Sequence, residues 1–141
     1  MPLWTIHHSP GVFTADDKVA LAGEITDRYE KVGLPRFYVV VIFREVTADD
    51  FFVGGMSAPL SARVEIAHIA RHLPDSESRR RTARWVGDVL APYLDRQDGL
   101  HWEFHIDETS EELWMINGLV PPPGRSEAEK NWARTNQPAP W

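Results

Sequence analysis

One pattern occurs twice in this chain, and it limits the fold more than anything else in the sequence. An apolar stretch is followed by an amphipathic stripe at helical spacing and then by a second apolar stretch. The first copy spans about residues 2–46. PLWTIHH alternates, with Trp4 and Ile6 on one face and Thr5 and His7 on the other. Thr14 and Asp17 have capping-box spacing, and Val19, Leu21, Ala22, Ile25, Tyr29 and Val32 form the stripe that follows. Gly33, Leu34 and Pro35 end it. FYVVVIF, Phe37 to Phe43, then reads as a strand buried on both faces.

The second copy spans about residues 62–107. ARVEIAHIAR alternates as a strand, and a helix starts after Pro74 at Asp75 or Ser76. That helix carries Ala83, Val86, Val89, Leu90 and Tyr93 along one stripe, and Pro92 should kink or end it. LHWEFHID follows, with Leu100, Trp102, Phe104 and Ile106 opposite His101, Glu103, His105 and Asp107. Two right-handed β-α-β units place two helices on one face of a four-stranded sheet, an α/β fold in one domain over residues 1–141. No further long amphipathic helix is evident, so the other sheet face calls for a partner subunit. Phe51 to Val53 suggests a short strand ending at the Gly54-Gly55 turn. The proline-rich tail from about residue 120 to 141 reads as an extended arm, with Trp141 docking at its end.

Composition removes several classes of function. The net charge of -6 argues against nucleic-acid binding, and the absence of cysteine excludes disulfides and thiolate chemistry. No apolar run reaches the roughly 20 residues of a membrane span, so a cytoplasmic protein without membrane contact is expected. His101 and His105 flank Glu103, but on a strand the two imidazoles stand about 13 Å apart, too far to share an ion. No metal or cofactor is expected. The arginine-rich run ESRRRTAR sits beside Asp75 and Glu77 and reads as a solvated helix face.

The segments ITDRYEKVGLPRFYVVV, HIAR, HWEFHIDE and LWMINGLVPPPG, together with a proline directly after Met1, resemble the tautomerase superfamily, in particular its cis-3-chloroacrylic acid dehalogenase branch and fungal relatives. The resemblance implies a trimer in which the exposed sheet faces pack together. It also implies a catalytic amino-terminal proline and cationic side chains that hold a substrate carboxylate. Pro2 matches the proline, and Arg71 matches the first of two carboxylate-binding arginines. The second arginine falls at Pro74, and the family histidine falls at Tyr29. The tyrosine and glutamate that handle water fall at Phe104 and Met115. The apparatus for activating water is therefore missing.

What remains suits proton transfer next to a carbonyl on a small carboxylate substrate. Pro2, freed by removal of Met1, is the candidate base, because burial and a nearby cation both favour a neutral amine. Arg71 is the candidate carboxylate anchor and Tyr29 a candidate donor to an enolate oxygen. Phe104 and Met115 would form the apolar wall. Tyr29 reads equally well as a core residue, and Arg71 as a structural partner of Glu65. Two other readings stay open: a weak hydratase or dehalogenase drawing on Glu103, Asp107 or Glu112, and a non-catalytic scaffold of the same fold.

Overall fold

The computed structural model describes residues 1–69 and 72–141. Strand β1 (Pro2–His8) leads into helix α1 (Ala15–Lys31) and strand β2 (Val40–Glu45). A small hairpin of β3 (Phe52–Val53) and β4 (Met56–Ser57) precedes strand β5 (Ser61–Ile69), helix α2 (Ser76–Leu94) and strand β6 (His101–Thr109). A last helix, α3 (Glu127–Thr135), lies near the carboxyl end. The main sheet has the order β2-β1-β5-β6, with β1 parallel to β2, β5 parallel to β6, and the two halves joined antiparallel through β1 and β5.

Local chemistry explains the element boundaries. The Thr14 hydroxyl accepts from the Asp17 N–H at 3.1 Å while the Asp17 carboxylate accepts from the Thr14 N–H at 2.8 Å, so two orphan donors at the start of α1 are satisfied. At the other end Gly33 adopts φ +93°, which lets its N–H reach Glu30 O and lets the Leu34 N–H reach Tyr29 O. Asp75 caps α2 through the Ser78 N–H at 2.7 Å. Gly54 and Gly55 both take positive φ, as a two-residue turn between β3 and β4 requires.

The core lies between the helices and one face of the sheet. Trp4 and Ile6 of β1 and Ala62, Val64 and Ile66 of β5 meet Leu21, Ile25 and Tyr29 of α1 and Val86, Val89, Leu90 and Leu94 of α2. Val19 and Val32, expected in the α1 stripe, are exposed. Val19 lies about 200° round the helix from Leu21, and Val32 is the C-cap residue beyond the last regular turn. Pro92 does not break α2; it falls in the last turn, three residues before the cap Asp95.

The strand expected from Phe37 begins only at Val40, because Arg36–Tyr38 forms a 3-10 turn. Nor is β2 buried on both faces: it is an edge strand, and Val40 and Ile42 point to the open face at 36% and 37% exposure. The tail departs furthest from expectation. Ser126 caps α3 through the Glu129 N–H at 3.1 Å, and Trp132, 1% exposed, packs against Phe37 and Tyr38. The Trp141 indole donates to Val120 O at 2.9 Å, so the terminal residue docks on its own chain. No described helix is long and apolar enough to cross a membrane.

Candidate active site

The start of β1 forms one wall of a cavity of about 530 Å³. Pro2, Tyr29 and His68 all line it, and each arrives there for a simple reason. Pro2 occupies the first position on the buried face of β1, in phase with Trp4 and Ile6. His68 continues the buried face of β5 after Val64 and Ile66, and the antiparallel register makes it the cross-strand partner of Pro2. Tyr29 is the last buried residue of α1, its carbonyl accepting the helix-terminating bonds from the Val32 and Leu34 N–H groups. Trp85 of α2 stands edge-on to the Tyr29 ring at 5.1 Å.

A hydrogen-bonded chain runs through this wall. The Trp4 indole, which can only donate, gives its proton to the Tyr29 oxygen at 3.2 Å. The phenol oxygen lies 2.7 Å from His68 Nε2, the one acceptor that the structure offers its proton among the described residues. Burial pushes the His68 imidazole down to about 4, aided by the positive amino terminus and opposed by Glu108. The ring is therefore neutral near pH 7. Burial also raises the Tyr29 phenol well above its usual range. Tyr29, expected either as a donor to a substrate oxygen or as a core residue, is buried with its oxygen between the Trp4 indole and His68.

Charge completes the site. Arg28, Arg81, Arg125 and Lys130 line the cavity, against one carboxylate, Glu129, among the described residues. In a chain of net charge -6, such a grouping of cations favours a small anion. Glu129 is 3% exposed and accepts from the Arg125 N–H at 2.6 Å, which ties the start of α3 to the wall.

Of the residues proposed from sequence, Pro2 and Tyr29 come together here. Arg71 lies outside the described residues. Phe104 does not line the cavity; it shares the helix-facing side of β6 with Trp102 and Ile106 and packs on the core. Met115 is 59% exposed, on a segment that does not line the cavity either. The polar face of β6 is spoken for differently: Arg63 donates to His105 Nδ1 at 2.7 Å, and His105 Nε2 lies 3.1 Å from Asp107. His68 was missed, though its place at the end of an apolar face, one alternation beyond Ile66, was visible in ARVEIAHIAR. Arg125 and Glu129 were missed because the Ser126-x-x-Glu129 cap inside the tail went unread.

A family model described as "Putative oxalocrotonate tautomerase enzyme" matches residues 1–137. A structure from the thermophilic fungus Aspergillus fumigatus, described as a probable enzyme, is 40% identical, covers 100% of this chain and 98% of its own, and superposes with a TM-score of 0.92. RhCC from Rhodococcus jostii RHA1 is 41% identical over 99% of both chains, with a TM-score of 0.93. N1, a member of the cis-3-chloroacrylic acid dehalogenase family, shares the fold at 18% identity, covering 95% of this chain and 97% of its own at a TM-score of 0.75. Among curated proteins nothing matches.

Proposed function

This chain belongs to the tautomerase family matched over residues 1–137, within the tautomerase superfamily, and on that premise we propose that it moves protons on small 2-keto, enol or unsaturated carboxylic acids. The observation that carries this reading is Pro2 at the buried start of β1, in the wall of a cavity rich in cations. Once Met1 is removed, Pro2 is a secondary amine. Desolvation and neighbouring positive charge both disfavour its ammonium form, which leaves neutral amine to act as general base near pH 7. In the keto-to-enol direction the amine takes a proton from the carbon beside the carbonyl. The C–H pair becomes the C=C bond, the carbonyl π pair moves onto oxygen, and the proline ammonium returns the proton there. Nothing is consumed.

Arg71 is proposed as the carboxylate anchor, from its place in the family pattern. Hydrolytic dehalogenation is disfavoured because Phe104 and Met115 stand where the branch carries its water-handling tyrosine and glutamate. The open sheet face, where Val40 and Ile42 are exposed and Leu3 is half-buried beside them, supports assembly into the trimer that the family resemblance implies.

With Met1 in place, Pro2 nitrogen is a tertiary amide with no basic lone pair, and the reading requires no activity. Met1 is itself held in register, its carbonyl accepting from the Ile69 N–H at 2.8 Å. Intact mass and peptide mapping after exposure to a small acetylenic acid test the proposal. A single adduct on Pro2 of the processed chain, absent from Pro2→Ala, is expected. A processed chain whose proline stays unlabelled would falsify it.

A further inference from the structure

We propose that His68 is a catalytic residue of this site, its neutral imidazole donating from Nδ1 to the substrate oxygen on which negative charge develops. The inference rests on the proline-base reading above and adds the electrophile that reading lacks.

The argument starts from proton inventory. The Tyr29 oxygen receives the Trp4 indole N–H at 3.2 Å and lies 2.7 Å from His68 Nε2. If Nε2 carried the ring proton, the phenol oxygen would accept two N–H groups and its own buried proton would have no acceptor among the described residues. An orphaned buried donor is costly, because its lost bond to water is not replaced. The arrangement that satisfies all three groups runs Trp4 to Tyr29 to His68. A neutral imidazole that accepts at Nε2 carries its proton at Nδ1. Among the described residues Nδ1 has no hydrogen-bond partner, although the residue is only 8% exposed and forms part of the cavity wall. An N–H donor on a cavity wall with no protein partner among the described residues points at a ligand acceptor.

Placement fits the chemistry. Enolisation needs a base at carbon and a donor at the adjacent oxygen. Pro2 and His68 are direct cross-strand partners on one face, with Cα atoms about 5 Å apart in such a pair. A neutral imidazole serves as the donor because its pKa lies closer to that of an enol than an imidazolium's does, and because it adds no positive charge beside the amine. His68 keeps its proton throughout; the hydrogen bond tightens as the oxygen gains charge and relaxes afterwards. Tyr29, two bonds away, is a positioning residue that fixes the tautomer.

Two side-chain amides separate the ring's two nitrogens. Gln at position 68 places an acceptor near Nε2 and preserves the Tyr29 bond; Asn places a donor near Nδ1. On the processed chain with the enol of phenylpyruvate, His68→Gln should lose about 10²–10³ in kcat with little change in KM, and His68→Asn should recover part of that loss. Nitrogen-15 spectra of the imidazole should show the Nδ1–H tautomer at pH 7, with Nδ1 moving and Nε2 nearly still when pyruvate is added. An Nε2–H tautomer, or a His68→Gln variant with wild-type kcat, overturns the proposal. If the wild type does not turn over the enol, the proline reading fails, and the pyruvate-dependent Nδ1 shift alone decides the role of His68.

Discussion

The phenol oxygen of Tyr29 and Nε2 of His68 lie 2.7 Å apart although 39 positions separate them in the chain, and the same oxygen receives the Trp4 indole N–H. Burial, the dominant cause, holds His68 near 4, against 6.5 for an exposed histidine. In the unfolded chain His68 binds a proton once pH falls below about 6.5, whereas the folded protein resists until about 4. Stability is therefore complete above the unfolded value and declines as pH falls through that window. The total loss is about 3 kcal/mol. Urea denaturation at pH 7, 5.5 and 4, compared with His68→Gln, checks this. The variant should lack that part of the decline, and parallel curves would refute the assignment.

Tyr29→Phe removes a single oxygen yet strands two buried groups, the Trp4 indole N–H and His68 Nε2. The expected cost is about 1–3 kcal/mol, more than loss of a surface hydroxyl would give. A shift in the urea midpoint with an unchanged slope is the expected readout. A midpoint equal to wild type would mean the indole proton has another acceptor.

Thr14 and Asp17 bond each other's backbone, and Arg96 from beyond α2 donates to both Asp17 oxygens. Arg96 is the first cause of the lowered Asp17 pKa, followed by the Thr14 N–H. Thr14→Ala should destabilise the protein by about 1 kcal/mol. Because the Asp17 carboxylate is favoured in the folded state, the contribution of this cluster is present above the ordinary carboxylate range and fades as pH falls below it. The Thr14 hydroxyl accepts from an amide and does not titrate, and the folded Asp17 carboxylate stays ionised at pH 3, so the Thr14→Ala penalty should be the same at pH 7 and at pH 3; equal stability of variant and wild type at pH 7 would contradict the capping role.

These sites differ in how far the sequence announces them. Thr14 and Asp17 carry their own spacing rule, Gly54-Gly55 demands its turn, and the alternation of HWEFHID fixes which side of β6 meets the core. Each of these is a local constraint. The exposure of Val40 and Ile42 is set by which strand ends up at the sheet edge, and a run of apolar residues cannot state that. His68 becomes a site residue only because the antiparallel register of β1 and β5 brings it opposite Pro2. The displacement of Phe104 from the cavity has a similar origin. Its side chain follows the strand's alternation onto the core face, so a family match in sequence carries it to a different environment within one chain.

Trp132 is where the tail's fold and the cavity's charge meet. Its ring is 1% exposed between Phe37 and Tyr38, and its indole donates to Ala139 O at 2.9 Å. Asn136 adds a bond from the Phe37 N–H at 3.0 Å. Trp132→Ala should therefore cost about 3–5 kcal/mol if α3 unfolds with the whole domain, and less if the tail detaches alone. Limited proteolysis distinguishes these cases: early cleavage between residues 121 and 136 with a protected remainder signals local release. On local release Arg125 and Lys130 leave the cavity wall while the sheet stays folded. Loss of one cation contact worth about 1 kcal/mol should raise KM for an anionic substrate about fivefold, while kcat, which on the proposed reading depends on Pro2 and His68, changes little. Trp132→Phe, which keeps the ring packing, should restore KM. A kcat that collapses while KM holds would place α3 in the chemistry and not merely in the binding of the acid.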